Sequence, residues 1–170
     1  MIKLQCILKI SERKVAMSPL VSIMTPCYNG EKFVSRYLDS VLAQTYNNIE
    51  LVIVDDGSTD KTAAIIIKVT FRNLNPKATS YLCLSRKWRC GGISTAMQLV
   101  NGDFITWFDS DDIVLSQSTE KRVNFLKKNP QYDFCICQMI EVAEDDLKTI
   151  TRIYRRIPPL PKTISLLIFC

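Results

Sequence analysis

The chain has 170 residues, 47% of them hydrophobic and 23% charged, which suits one domain with a buried core and excludes a disordered chain. The net charge of +5 gathers at the ends: residues 1–16 carry Lys3, Lys9, Arg13 and Lys14 against Glu12, and residues 147–170 carry Lys148, Arg152, Arg155, Arg156 and Lys162 with no acid. The basic tail is a hint of a membrane surface or nucleic acid, and the stretch between the ends is net acidic, which argues against a nucleic-acid-reading core.

In chain order, Leu20–Thr25 is predicted as a short buried strand, because its apolar run is continuous rather than alternating. Pro26-Cys27-Tyr28-Asn29-Gly30 should break it, with Asn29 available as a helix cap. Phe33, Tyr37 and Val41 repeat every four residues, as do Val34, Leu38 and Leu42, which predicts a helix with one apolar stripe. Leu51–Val54 is predicted as a second buried strand, stopped by Asp55-Asp56-Gly57-Ser58, with a helix from Asp60 to Val69 capped by Ser58 or Thr59. A third strand follows at Tyr81–Leu84, a short helix at Gly91–Val100 and a fourth strand at Phe104–Phe108, which ends at Asp109-Ser110-Asp111-Asp112. A helix from Gln117 to Lys128 closes at Asn129-Pro130; Phe134–Ile140 is a fifth strand, and Thr149–Tyr154 a weaker sixth in a hairpin.

Strands of continuous apolar residues alternating with helices imply an α/β fold, a mostly parallel sheet flanked by helices. Ligands of such sheets sit beyond the carboxyl ends of the strands. Three polar motifs stand immediately after strands: Pro26–Gly30, Asp55–Asp60 and Asp109–Asp112. They should converge on one rim although they lie far apart in sequence.

Each motif has a chemical reading and a plainer one. In an extended segment Asp109 and Asp111 point the same way, so two carboxylates can approach one hard cation; such a turn also suits helix-capping acids. A carboxylate of the Asp55–Asp60 turn can accept hydrogen bonds from a nucleobase, or can cap the next helix, and Gly57 permits positive φ. Tyr28 can offer a ring for stacking or simply pack. Arg86, Lys87 and Arg89 around Trp88 could meet phosphate, or form a solvated loop. Glu144-Asp145-Asp146 could hold a general base, or top a hairpin. The seven cysteines match no disulfide framework. Without histidine or a C-x-x-C pair a zinc site is not expected, and reduced thiols of a cytoplasmic protein are the simpler reading. No stretch reaches the ~20 apolar residues of a membrane span. The apolar ending Ile164–Cys170, without a polar cap, reads as an interrupted chain.

Taken together, Pro19–Gly30, Gln44-Thr45-Tyr46 with Glu50–Asp60, and Gly102–Asp112 resemble, in order and spacing, the successive blocks of the family 2 glycosyltransferases. The resemblance covers roughly residues 18–140 and implies a Rossmann-like GT-A fold. It implies a nucleoside-diphosphate-sugar donor and a divalent ion, Mn²⁺ or Mg²⁺. By position, Pro26 and Tyr28 would line the nucleotide pocket, Asp56 would read the base, Asp109 would lie near ribose and metal, and Asp111 would bind the metal in what is then a DXD motif. The acceptor would be a glycan or lipid-linked hydroxyl, such as a cell-envelope glycan, reached from the cytoplasm at the inner membrane surface. No catalytic residue can be carried over. On this basis residues 1–17 form an N-terminal extension, 18–146 the nucleotide-sugar-binding domain, and 147–170 a basic, then apolar, C-terminal segment. The alternative is a truncated donor-binding fragment without transfer activity.

Overall fold

The computed structural model describes residues 6–10, 17–72, 78–84, 90–137, 139–142 and 150–154. In chain order the elements are β1 (Cys6–Lys9), β2 (Val21–Cys27), α1 (Val34–Leu42), β3 (Ile49–Asp55), α2 (Thr62–Arg72), β4 (Ala78–Leu84), α3 (Cys90–Leu99), β5 (Phe104–Trp107), α4 (Ser118–Lys128), β6 (Phe134–Ile136), β7 (Met139–Val142) and β8 (Ile150–Tyr154). Six strands form one sheet in the order β4-β3-β2-β5-β1-β6. Strands β2 to β5 are mutually parallel, and β1 runs antiparallel to both of its neighbours, β5 and β6. The mostly parallel α/β sheet predicted from the strand pattern is therefore present.

Every residue of β3 is buried, which its central place explains: with helices on both faces, no position faces water. The helices divide between the faces. Tyr37, Leu38 and Val41 of α1, Ile66 of α2, and Val123 and Leu126 of α4 pack with Ile23, Leu51, Ile53 and Phe104. Ala96 of α3 packs on the opposite face against Met24, Val52, Val54 and Ile105. The alternation along β2 and β3 follows from the two-residue period of a strand.

Several boundaries differ from expectation. Strand β2 runs through Pro26 to Cys27 instead of ending at Thr25. Pro26 lies past the last β2–β5 pair, Met24 with Trp107. Phe108 donates to the Met24 carbonyl, so residues in phase with Met24 turn their backbone groups to the β5 side. Without an N–H, Pro26 ends the ladder on that side, while pairing with β3 continues to Cys27 and Asp55. The apolar run predicted as one fifth strand divides, because β6 pairs with β1 whereas β7 forms a separate hairpin with β8. Within residues 1–17, set apart as an extension, Cys6–Lys9 is an internal strand of the main sheet, and its Ile7 is fully buried opposite Thr106 and Cys135. Among the described residues, no helix is long and apolar enough to cross a membrane.

Candidate functional site

Because β2, β3 and β5 are parallel, their carboxyl ends share one edge of the sheet, and the three polar turns are joined there by direct contacts. The Asp56 N–H donates to the Cys27 carbonyl at 2.8 Å and the Asn29 N–H to Ser58 Oγ at 2.9 Å. A Cβ placed on Gly30 would stand 3.0 Å from Cys27 Sγ and 3.2 Å from Ser110 Oγ. Glycine therefore lets the first turn pack closely against the third.

The first turn depends on Asn29, whose φ of 48° lies in the left-handed region. Asparagine tolerates that conformation better than other residues with a Cβ. Asn29 does not cap α1; the Gly30 carbonyl instead accepts from the N–H groups of Phe33 and Val34. The reversal leaves Tyr28 62% exposed at the rim while Cys27 and Gly30 on either side are buried. Pro26, at the end of β2, is half-buried. Burial pushes the Cys27 thiol above its ordinary pKa, with Asp55 and Asp60 adding to the rise and a hydrogen bond with Ser110 opposing it.

In the second turn, two neighbouring acids have different surroundings. Asp55 is 1% exposed, and its Oδ1 accepts the Ser58 N–H at 2.9 Å, closing the turn that Gly57 makes at φ 84°. Asp56 is half-buried, and its Oδ1 is shielded from water without a hydrogen-bond partner. Buried polar atoms are almost always paired, which sets this oxygen apart from Asp55 Oδ1. Neither Ser58 nor Thr59 caps α2: Asp60 Oδ1 accepts the Thr62 N–H at 2.9 Å.

The third motif is not the extended segment expected. Strand β5 ends at Trp107, and residues 109–112 form a turn in which the Asp112 N–H donates to the Asp109 carbonyl at 3.1 Å. The Asp109 N–H in turn donates to Asp112 Oδ2 at 3.3 Å. Asp112 thus holds the turn, Asp109 is half-buried, and Asp111 is exposed. Sequence reasoning gave no role to the residues that anchor the loop beyond. The Val114 N–H donates to Ser40 Oγ, and Gln44 Nε2 donates to the Leu115 carbonyl at 2.9 Å while its Oε1 accepts from Thr119. Gln44 is a buried amide whose two ends are both engaged, the hydrogen-bond arrangement that fixes a loop to a helix. Beneath the turn, the buried Tyr37 hydroxyl hydrogen-bonds Thr25 Oγ1.

The turns carry carboxylate and hydroxyl oxygens, the donors that suit a hard divalent ion, with the buried Cys27 thiol packed among them. Among the described residues no group of three or more His, Cys, Asp or Glu converges as a ready ligand set. Asp109 and Asp111 stand on the third turn, one half-buried and the other exposed. Arg86–Arg89 and Glu144–Asp146, singled out in the sequence, lie outside the described residues.

The class that this fold and edge define is an α/β domain with its polar turns gathered at the carboxyl ends of parallel strands, and comparison with known proteins makes the assignment specific. The glycosyl transferase family 2 model matches residues 22–167, and the chain belongs to that family. It is 34% identical over 123 residues to an uncharacterized glycosyltransferase of Haemophilus influenzae, covering 69% of this chain and 48% of that one. It is 36% identical over 110 residues to the Escherichia coli UDP-Glc:alpha-D-GlcNAc-diphosphoundecaprenol beta-1,3-glucosyltransferase WfgD, covering 65% and 42%. Among solved structures, S. aureus TarS 1-349 in complex with UDP-GlcNAc superposes with a TM-score of 0.63 at 25% identity, over 74% of this chain and 36% of that one. A Pyrobaculum calidifontis mannosyltransferase in complex with GDP-Man and Mn2+ superposes with a TM-score of 0.53 at 25% identity, over 58% and 30%. The fold is the GT-A type. The chain spans less than half the length of these relatives, and β1 lies outside the residues that the family model matches.

Proposed function

We propose that this chain binds a nucleoside-diphosphate sugar at the shared edge of β2, β3 and β5 and transfers the sugar to an acceptor hydroxyl. The observation that carries the reading is Asp56 Oδ1, buried and without a hydrogen-bond partner in the turn that bonds Cys27 and Asn29. An imide or amine N–H of a nucleobase would satisfy it, and a hydrogen bond to a charged acceptor is worth about 1.5–3 kcal/mol. Pro26 and the exposed ring of Tyr28 would line the base. Asp109 would lie near the ribose and, with Asp111, would hold Mn²⁺ or Mg²⁺. Such an ion, when bound, supplies Lewis-acid stabilisation to a departing diphosphate. The TarS complex with UDP-GlcNAc and the mannosyltransferase complex with GDP-Man and Mn2+ support a nucleotide-sugar donor and a divalent ion by analogy.

The acceptor class follows WfgD, whose name specifies a diphosphoundecaprenol-linked sugar. A lipid-linked glycan of the cell envelope, met at the cytoplasmic face of the inner membrane, is the corresponding acceptor here. A second reading is donor binding without transfer. Release of free nucleotide from UDP-Glc, UDP-GlcNAc or GDP-Man with Mn²⁺ separates the two. Turnover that disappears in Asp111→Asn supports the transferase. Donor binding with no release supports the second reading, and metal-dependent binding unchanged by Asp111→Asn removes the metal assignment.

A further inference from the structure

We propose that Asn29 is a positioning residue of the nucleotide pocket, a clasp that sets the distance between Tyr28 and Asp56. The proposal rests on the donor-binding reading above, since that reading makes these two residues partners of one base.

Asn29 is the only residue other than glycine with positive φ among the described residues. Such a conformation persists where neighbours hold it, and it gathers at functional sites. The neighbours that hold it here all belong to the second turn. The Asn29 N–H donates to Ser58 Oγ at 2.9 Å, and Asn29 Oδ1 accepts the Thr59 N–H at 2.9 Å. The next residue repeats the pattern, with the Gly30 N–H donating to Thr62 Oγ1 at 2.8 Å. Tyr28 directly precedes the clasp on one loop, and Asp56 stands two residues before Ser58 on the other. A shift of the first loop against the second would change the gap between ring and carboxylate, the gap into which a base must fit.

The Asn29 side chain is exposed and has no part in either hydrophobic cluster. Its bonds therefore contribute little to the core and mainly fix one loop on the other. The buried Ser22–Glu50–Gly102 network at the opposite end of the same strands contrasts with it: that network is enclosed by the sheet and has a structural task. Geometry also says which replacements preserve the clasp. Aspartate retains an Oδ1 acceptor and tolerates positive φ, glycine keeps the backbone but loses the acceptor, and alanine loses both.

The test is calorimetric titration of the unmodified chain, Asn29→Asp, Asn29→Gly, Asn29→Ala and Ser58→Ala with UDP, GDP, dTDP and CDP, each with and without Mn²⁺. With whichever nucleotide binds the unmodified chain, Asn29→Gly and Ser58→Ala should bind about threefold to tenfold more weakly, the loss expected for one hydrogen bond. Asn29→Ala should be weaker still, and Asn29→Asp should restore most of the affinity. The factor by which Mn²⁺ strengthens binding should stay the same throughout, because the clasp acts on the base end and not on Asp109 or Asp111. Unliganded thermal unfolding of the glycine and aspartate variants should match the unmodified chain. Unchanged affinity in the glycine and alanine variants would overturn the proposal, and so would losses that track melting temperature or the Mn²⁺ factor. If the alanine variant does not fold, the glycine and aspartate variants decide. If the unmodified chain binds none of the four nucleotides, the donor-binding reading itself fails, and this one with it.

Discussion

Asp55 and Asp56 are adjacent acids for which the structure predicts opposite behaviour. Asp56 Oδ1 is buried without a partner, and a buried acceptor left unsatisfied is destabilising by about 1–3 kcal/mol. The residue as a whole is only half-buried, so a fraction of that range applies. Asp56→Ala should then leave the unliganded chain as stable as before or up to about 1 kcal/mol more stable, at most ~2–4 °C in melting temperature for a chain of this size. Nucleotide affinity should fall about 10-fold to 150-fold, the equivalent of one hydrogen bond to a charged acceptor. Asp55→Ala removes the acceptor of the Ser58 N–H at a site 1% exposed. It should lower stability by about 1–3 kcal/mol. Equilibrium denaturation without ligand, paired with nucleotide titration, reads both quantities on both variants. Loss of more than ~1 kcal/mol in Asp56→Ala with nucleotide affinity unchanged would refute the reasoning, for Asp56 would then be a structural acid like its neighbour.

Three further predictions concern the scaffold. Ile7 is fully buried and Leu8 is 37% exposed; denaturant unfolding should show Ile7→Ala losing about 2–5 kcal/mol and Leu8→Ala clearly less. Equal losses would mean that β1 is not an internal strand. A Cβ on Gly102 would lie 2.5 Å from Ser22 Oγ, 2.7 Å from Ser22 N and 2.8 Å from the Leu20 carbonyl oxygen. Because two of these are backbone atoms, Gly102→Ala should destabilise by about 2 kcal/mol or more, and a neutral substitution would contradict the close approach. Burial raises the pKa of Tyr37 well above the ordinary tyrosine value, while its hydrogen bond with Thr25 acts in the opposite direction. The folded state thus keeps a proton that the unfolded chain gives up near pH ~10. The stabilisation is complete below that pH and falls by about 1.4 kcal/mol per unit above it. Unfolding measured from pH 8 to 11 should show a shallower decline in Tyr37→Phe, and identical slopes would contradict the burial argument.

Much of this architecture can be read from the residues. The continuous apolar runs of β2, β3 and β5 require cover on both faces, which imposes parallel pairing and puts their polar successors on one edge. Strand β1 is harder to recognise: Cys6–Lys9 is short, has charged residues nearby, and finds its partners about 100 residues away in β5 and further along in β6. Nothing local marks such a pairing. The division of labour between Asp55 and Asp56 is equally hidden, since it depends on which carboxylate the Ser58 N–H reaches. The Asp109–Asp112 segment misleads an extended-strand argument because Asp112 folds back to bond the Asp109 backbone, an option open to short acidic side chains in turns. Asn29 did carry a local signal. An Asn-Gly pair after a strand announces positive φ, although helix capping competes for the same residue type.

Thermal unfolding with UDP, GDP, dTDP and CDP, each with and without Mn²⁺, tests the central claim most directly. A ligand at 100 times its dissociation constant adds about 2.7 kcal/mol, roughly 5–10 °C for a chain of this length. The account predicts a shift of that order with one nucleotide, enlarged by Mn²⁺ and lost in Asp56→Ala. A cooperative transition that moves with none of the four would contradict it, leaving a family 2 fold whose converging turns do not form a working nucleotide site.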